Sequence, residues 1–227
     1  QNRIDKPYGQ LFGLEALGLF QSQEEIDNSP TQSFGAVRVG DIKYNDINGD
    51  GLINEEDVVA IGHSNIPKIN YGFGGTLQWK GIDVSVFFQG ISKVSYFLSG
   101  NSIYGFNSGS LTRAAINEDV YLNRWTENNP NAKYPRLDSN ANTNNNRNST
   151  FRMIDGSFLR FKNAEIGYTF PKKMLNGTFL KTVRVYASGV NLLTFSNFKL
   201  WDPEQGGGEG AGYPPSRIFN VGLNVNF

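Results

Sequence analysis

The chain is expected to be all-β, an antiparallel segment of a transmembrane β-barrel with long loops at one end. Three observations lead there. Several stretches alternate apolar with small or polar residues, over lengths close to the roughly 9–11 residues of a membrane-spanning strand. Glycine numbers 26, Phe 17 and Tyr 10, with aromatics at 13% of the chain, a mixture that suits many strands joined by tight turns. The connections between the alternating stretches also sort by length, short at one end and long at the other.

Composition closes off other classes. The 227 residues carry 21 basic and 21 acidic side chains and a pI near 6.8, so no pull toward nucleic acid is implied. Cysteine is absent and His63 is the one histidine, which excludes disulfides and argues against His-rich metal sites and His-based triads. Acids such as Asp155 and Glu165 occur without a nucleophile–base constellation, so the chain is not expected to be an enzyme. No apolar run approaches the ~18–20 residues of a membrane helix. The mean hydropathy of −0.41 still admits a barrel, whose lumen-facing positions and outer loops are polar. The start at Gln1 carries no signal peptide pattern and suits a mature chain or a fragment.

Taken in order, Gln1–Gly9 is polar. Leu11–Phe20 alternates and is expected to be a strand. Ser22 and Glu25 have capping-box spacing, so a short helix is expected to start there. Residues 28–40 read as loop. Tyr71–Gln89 is the clearest hairpin. Tyr71, Phe73, Gly75, Leu77 and Trp79 share one face, Lys80-Gly81 turns the chain, and Ile82, Val84, Val86 and Phe88 return on the apolar side. Val94–Tyr104 is a further candidate strand, and a short helix is expected within Arg113–Asn123. Asn140–Asn148, nearly all Asn, reads as a solvated tract with no core to offer. In the next strand, 158–170, the alternation slips at Asn163-Ala164, which predicts a β-bulge. Strand 182–195 puts Val183, Val185, Ala187 and Gly189 opposite Arg184, Tyr186, Ser188 and Val190. The last strand, 217–227, sets Phe219, Val221, Leu223, Val225 and Phe227 against Asn220, Gly222, Asn224 and Asn226. Its only neighbour here should be 182–195. That final segment alone fits the last strand of a soluble sandwich equally well.

Residues 46–57 match a calcium-loop pattern, with Asp in place of the terminal Glu. Asp46, Asn48, Asp50, the Leu52 carbonyl and Asp57 are the expected ligands, Gly51 makes the sharp turn, and Ile53 turns inward. An Asx-rich turn without metal is the alternative. Any ion would stiffen the loop, not catalyse, and the short Asp57 implies modest affinity.

Loop parity separates barrel from sandwich. With the Lys80-Gly81 turn on one side of a membrane, the connections 21–70, 90–157 and 196–216 fall on the other. The connections 80–81 and 171–181, and the C-terminus, fall on the first side. Long extracellular loops and short periplasmic turns are the pattern of outer-membrane barrels. Six strands are found, fewer than the eight of the smallest single-chain barrels, so the chain is expected to be part of a larger one. Tyr71, Trp79, Phe88, Phe170 and Phe227 are the candidate membrane-girdle aromatics.

These residues also resemble a family. Gly18-Leu19-Phe20-Gln21-Ser22-Gln23-Glu24-Glu25-Ile26, Gly40-Asp41-Ile42-Lys43-Tyr44 leading into Asp46–Gly51, Tyr71-Gly72-Phe73 through Phe87-Phe88-Gln89-Gly90, and Arg124-Trp125-Thr126 carry the likeness. So do Asn131–Arg136, Asp155–Arg160, Gly189–Thr194 and Trp201-Asp202-Pro203-Glu204. Together they are similar to the C-terminal part of the SusC/RagA family, TonB-linked outer-membrane transporters of Bacteroidetes-type bacteria. The resemblance implies the last strands of a barrel of about 22, with residues 41–61 a calcium-loop-like extracellular insertion. It places the N-terminal plug and the TonB box outside this sequence.

The expected function follows from that likeness. It is a part of a TonB-dependent importer of oligosaccharides, or of peptides, acting with a SusD-like surface lipoprotein, TonB and outer-membrane lipid, and with its C-terminus periplasmic. Tyr104, Phe106, Trp125 and Trp201 are the candidate substrate contacts, with loop packing as the alternative for each. The competing reading is a soluble calcium-binding β-sandwich for glycan binding or adhesion. A siderophore receptor is the nearer competitor.

Overall fold

The computed structural model describes residues 4–105, 116–138 and 142–227. The chain divides into two compact units. One comprises 67–93, 156–205 and 212–227; the other comprises 1–66, 94–155 and 206–211.

The first unit is a five-stranded antiparallel sheet. Its strands are β1 (Ile69–Trp79), β2 (Ile82–Ser92), β3 (Phe158–Thr169), β4 (Thr182–Phe195) and β5 (Ile218–Asn226), in spatial order β5-β4-β3-β2-β1. They are 11, 11, 12, 14 and 9 residues long, each enough to cross a bilayer at the usual tilt. β1 and β2 are joined by Lys80 and Gly81, both with positive φ (48° and 88°). That is the turn whose twist matches paired strands. A side chain at Gly81 would meet the Thr169 carbonyl at 2.7 Å, so glycine is needed there twice over.

The expected phase slip is present. β3 shifts register between Phe161 and Asn163 against both neighbours. Asn191 of β4, opposite the slip, takes a φ of 55°. The bulge returns the apolar side chains after it to the same face as those before it. β5 pairs with β4 from Val190↔Ile218 to Thr182↔Asn226, and its other side is an edge of the sheet, as is the outer side of β1. The antiparallel order puts the connections 80–81 and 170–181 at one end of the sheet. The connections 93–157 and 196–217 leave from the other, in agreement with the parity.

The second unit is built differently. Its strands are two to six residues long and pair two by two: Gln10–Gly13 with Val59–Ser64, Ala16–Leu19 with Ile42–Tyr44, Thr31–Gln32 with Leu52–Ile53, and Ser95–Phe97 with Met153–Asp155. Two expectations are corrected here. Leu11–Phe20 is not one strand of the main sheet. It is two short strands on different partners, with a register shift in each pairing, and Leu14 between them is fully buried. Val94–Tyr104 is strand only at Ser95–Phe97 and becomes a helical turn at Asn101–Tyr104. The expected helices lie at Gln23–Asp27, capped by Ser22, and at Glu118–Leu122, capped by Asn117. Leu14, Leu19, Ile42, Tyr44 and Ile53 form the apolar core.

The asparagine tract is the third correction. Of its described members, Asn144 and Asn145 are almost fully buried. Asn144 accepts from Gln32 Nε2 (2.8 Å) and donates to the Ile42 carbonyl (3.0 Å). Asn145 accepts from Ile42 N (2.9 Å) and donates to Asp41 (2.8 Å). Asp41, also buried, forms a salt bridge with Arg136 at 2.8 Å and accepts from Arg38 N and Asn142. Irregular backbone must satisfy its N–H and C=O groups somewhere. Here amide side chains about a hundred residues away in sequence do so.

Candidate functional site

The sheet has two chemically opposite faces. On one, Phe73, Leu77 and Trp79 of β1, Ile166 of β3, Val185 of β4 and Phe219, Val221 and Leu223 of β5 are exposed, Val221 to 87% and Leu77 to 71%. Three rings stack across three strands on this face, Phe73 on Phe88 (5.2 Å) and Phe88 on Phe161 (4.7 Å). A contiguous exposed apolar surface of this kind is foreign to a sheet facing water. It suits hydrocarbon.

The other face is polar. Arg184 holds Asp83 (Nε to Oδ1, 3.0 Å) and Glu165 (2.6 Å), so one guanidinium ties β4 to β2 and β3. Glycines keep this face flush. A side chain at Gly167 would strike the Arg184 guanidinium at 2.3 Å, one at Gly222 the Tyr186 ring at 2.3 Å, and one at Gly74 the Val86 carbonyl at 2.4 Å and the Phe87 ring at 3.1 Å. Arg184 lies 5.1 Å from the Tyr186 ring centroid. Large side chains thus lie along the polar face where glycine leaves room. With Thr76, Gln78, Ser85, Asn220 and Asn224 in the same alternation, the face offers amides, hydroxyls and one ion cluster to a polar ligand. The ion cluster escaped the sequence reading. Its signal was the parity that puts Asp83, Glu165 and Arg184 on the amide-rich side of their strands.

The girdle candidates divide by position. Tyr71 donates to the Phe158 carbonyl (3.3 Å) near the long-connection end. Phe88 is the middle ring of the stack. At the short-connection end, Trp79 lies under the Lys80 ammonium (4.7 Å), Phe170 packs edge-on to Tyr168, and Phe227 stacks on Phe179.

Within the second unit, the 46–57 loop closes on its own backbone. Asp46 accepts from Gly49 N (2.7 Å) and Gly51 N (2.8 Å), Asn48 from Asp50 N (2.9 Å), and Asp50 from Leu52 N (2.8 Å). Asp57 is fully buried and accepts from Ile47 N and Asn54 N, both 2.8 Å. Ile53 turns into the core as expected, and Gly51 has a φ of 83°. Among the described residues no three Asp, Glu, His or Cys side chains converge to hold a metal ion. A cation here would have to share oxygens already given to N–H donors, or displace those donors.

The aromatic substrate candidates are engaged in packing. Trp125 lies against Gly40, where a Cβ would meet its ring at 2.4 Å, and borders the core cluster. Tyr104 lies 5.0 Å from the buried Arg152 guanidinium; burial raises the pKa of Tyr104 and lowers that of Arg152. Trp201, in the sheet unit, packs edge-on to Phe198 at 4.9 Å. Phe106 lies outside the described residues. Tyr104 and Trp125 thus serve the packing of the second unit, and Trp201 that of the sheet unit. A separate polar staple joins Asp119 to Lys133 (2.7 Å) and to the Tyr134 hydroxyl (2.7 Å). Lys133 and Tyr134 hold the Asp119 carboxyl below its ordinary pKa, and burial, reinforced by Asp119, pushes Tyr134 up to about 12.

No family model matches the chain. TonB-dependent receptor P26 of Formosa agariphila is 36% identical over 235 residues, spanning 95% of this chain and 22% of that receptor. TonB-dependent receptor P3 of the same organism is 30% identical over 239 residues, spanning 99% of this chain and 23% of the receptor. The chain therefore covers less than a quarter of the length of these curated relatives. Among solved structures, the RagAB peptide transporter superposes with a TM-score of 0.69 over 96% of this chain and 23% of that one, at 24% identity. The RagAB peptide importer in its open-open state gives a TM-score of 0.69 at 23% identity. These two show a shared fold.

Proposed function

We propose, from the premise that this chain is a segment homologous to TonB-dependent receptors, that it supplies consecutive strands to an outer-membrane barrel of about 22. The whole protein would be an energised importer of oligomeric nutrients. The observation that carries this is the sheet whose apolar face is exposed while its opposite face is polar and glycine-lined. Hydrocarbon on one side and an aqueous lumen on the other account for both. β5 would end at the periplasmic side, and the two sheet edges would pair with strands supplied by the rest of the receptor.

The cargo class is an oligosaccharide or a peptide. Amide and hydroxyl groups along the polar face suit both, and the solved neighbours are described as peptide transporters. A SusD-like lipoprotein would cover the extracellular side, and TonB would act through the part of the protein outside this chain. The soluble sandwich reading gains nothing from the structure, because an exposed apolar face is what a sandwich would bury. The test is to express the full-length receptor. It should fractionate with outer membranes and import labelled oligomers only when TonB is intact. Recovery as a soluble protein would overturn the reading.

Calcium at residues 46–57 is a separate proposal that rests on the residue pattern. Calorimetric titration of the full-length receptor should give a weak site, lost in Asp46→Ala. Absence of binding at millimolar calcium would remove it.

A further inference from the structure

The short-connection end of the sheet carries a charge pattern that transport leaves unused. The charges of the chain balance only in sum. The sheet unit has eleven Lys and Arg against four Asp and Glu, and the other unit has ten against seventeen. The sheet unit's four acids are all taken, Asp83 and Glu165 by Arg184 and Asp202 and Glu204 by Arg160. Its excess is therefore mostly lysine. Lys80, Lys172, Lys173 and Lys181 are exposed, lie in the two short connections, and have no ion-pair partner among the described residues. No acidic residue occurs between Glu165 and Asp202. The backbone makes this end one surface: Thr169 N donates to the Gly81 carbonyl (2.7 Å), Phe170 N to Val183 (2.9 Å), and Lys181 N to Asn226 (2.8 Å).

The lysines sit beside exposed apolar side chains. Trp79 lies under Lys80, Phe179 stacks on Phe227, and Met174 follows Lys173 directly. Exposed apolar side chains, aromatic rings and ammonium groups thus share this end of the sheet. Hydrocarbon, interface and phosphate meet in the same way at a bilayer surface, where a lysine stem can lie on apolar surface with its charge among the headgroups. We propose that this end binds anionic phospholipid headgroups, the four lysines holding the phosphates while Trp79, Phe179 and Phe227 fix its depth. An acidic peptide would leave the exposed Phe179 and Met174 unexplained. The proposal rests on the reading of the apolar face as lipid-facing.

The test uses the full-length receptor in nanodiscs of phosphatidylcholine, with and without phosphatidylglycerol. Retained lipid is counted by native mass spectrometry. Wild type should enrich phosphatidylglycerol, and the enrichment should fall at 1 M salt. Lys80→Gln, Lys172→Gln, Lys173→Gln and Lys181→Gln together should abolish it, at roughly fivefold per lysine, and the four Lys→Arg changes should preserve it. Equal retention of the two lipids by wild type, or enrichment unchanged by salt, overturns the proposal even if the glutamine variant fails to fold. Insertion without lipid preference sinks this proposal alone. Failure to insert sinks the barrel reading and this one with it.

Discussion

The two units use the same kinds of residue in opposite places. In the sheet, large apolar side chains are exposed, and Arg184 with its carboxylates lies along an open polar face. In the other unit, Leu14, Ile42 and Ile53 are buried, and so are Asp41, Asp57, Asn144 and Asn145. The cause is the backbone. A long antiparallel ladder satisfies its own N–H and C=O groups, so the sheet's side chains are free to match lipid and water. Short strands and turns leave backbone groups over, and polar side chains must be buried to meet them.

The sharpest way to break this contrast is at the buried polar hub. Asp41→Ala would leave Arg136 with Asp138 alone and take the acceptor from the amides of Asn142 and Asn145. We expect a loss of ~3–5 kcal/mol, read by denaturant unfolding of the full-length receptor. Hydrogen exchange should rise at Ile42 and Asn145 while the sheet keeps its protection. A uniform rise in both units would show that they do not differ in this way.

Next in size is a pair of changes on adjacent residues of β5. Leu223→Arg, on the apolar face, should cost ~2–4 kcal/mol in a bilayer, whereas Asn224→Arg, on the polar face, should cost far less. Equal costs would remove the distinction between the faces. Phe88→Ala removes the middle ring of the stack and should lose ~0.5–1.5 kcal/mol for each of its two ring contacts beyond the area effect. The mirror change in the second unit, Ser22→Ala, should cost ~1 kcal/mol at the helix cap, seen as faster exchange at Glu25.

The smallest effects are those of pH at the Asp119–Lys133–Tyr134 staple. Asp119 has a depressed pKa, so its contribution is complete above the unfolded value of ~3.9 and is lost as pH falls through the lower folded value. Tyr134 has a raised one, so its contribution is complete below ~10 and is lost as pH rises toward about 12. Tyrosinate absorbance should lose one late-titrating tyrosine in Tyr134→Phe, while Tyr44, Tyr96 and Tyr104, also raised by burial, stay late.

The amino-acid sequence by itself determined the sheet. Period-2 alternation, the Lys80-Gly81 turn, the slip at Asn163 and the length sorting of the connections are local signals, and four of its strands agree with their expected spans within about two residues. β2, which runs three residues past the expected Gln89, does so where the alternation breaks at Gly90. The Ser22 cap and the inward turn of Ile53 were legible for the same reason. Only the tertiary structure decided the rest. Leu11–Phe20 alternates like a spanning strand, yet Leu14 is drawn into a core and splits it. The asparagine tract reads as solvated because nothing nearby in sequence needs its amides; its partners, Gln32, Asp41 and Ile42, lie about a hundred residues away. Long-range satisfaction of backbone and carboxylate groups leaves no periodic trace, whereas a face repeated every second residue does.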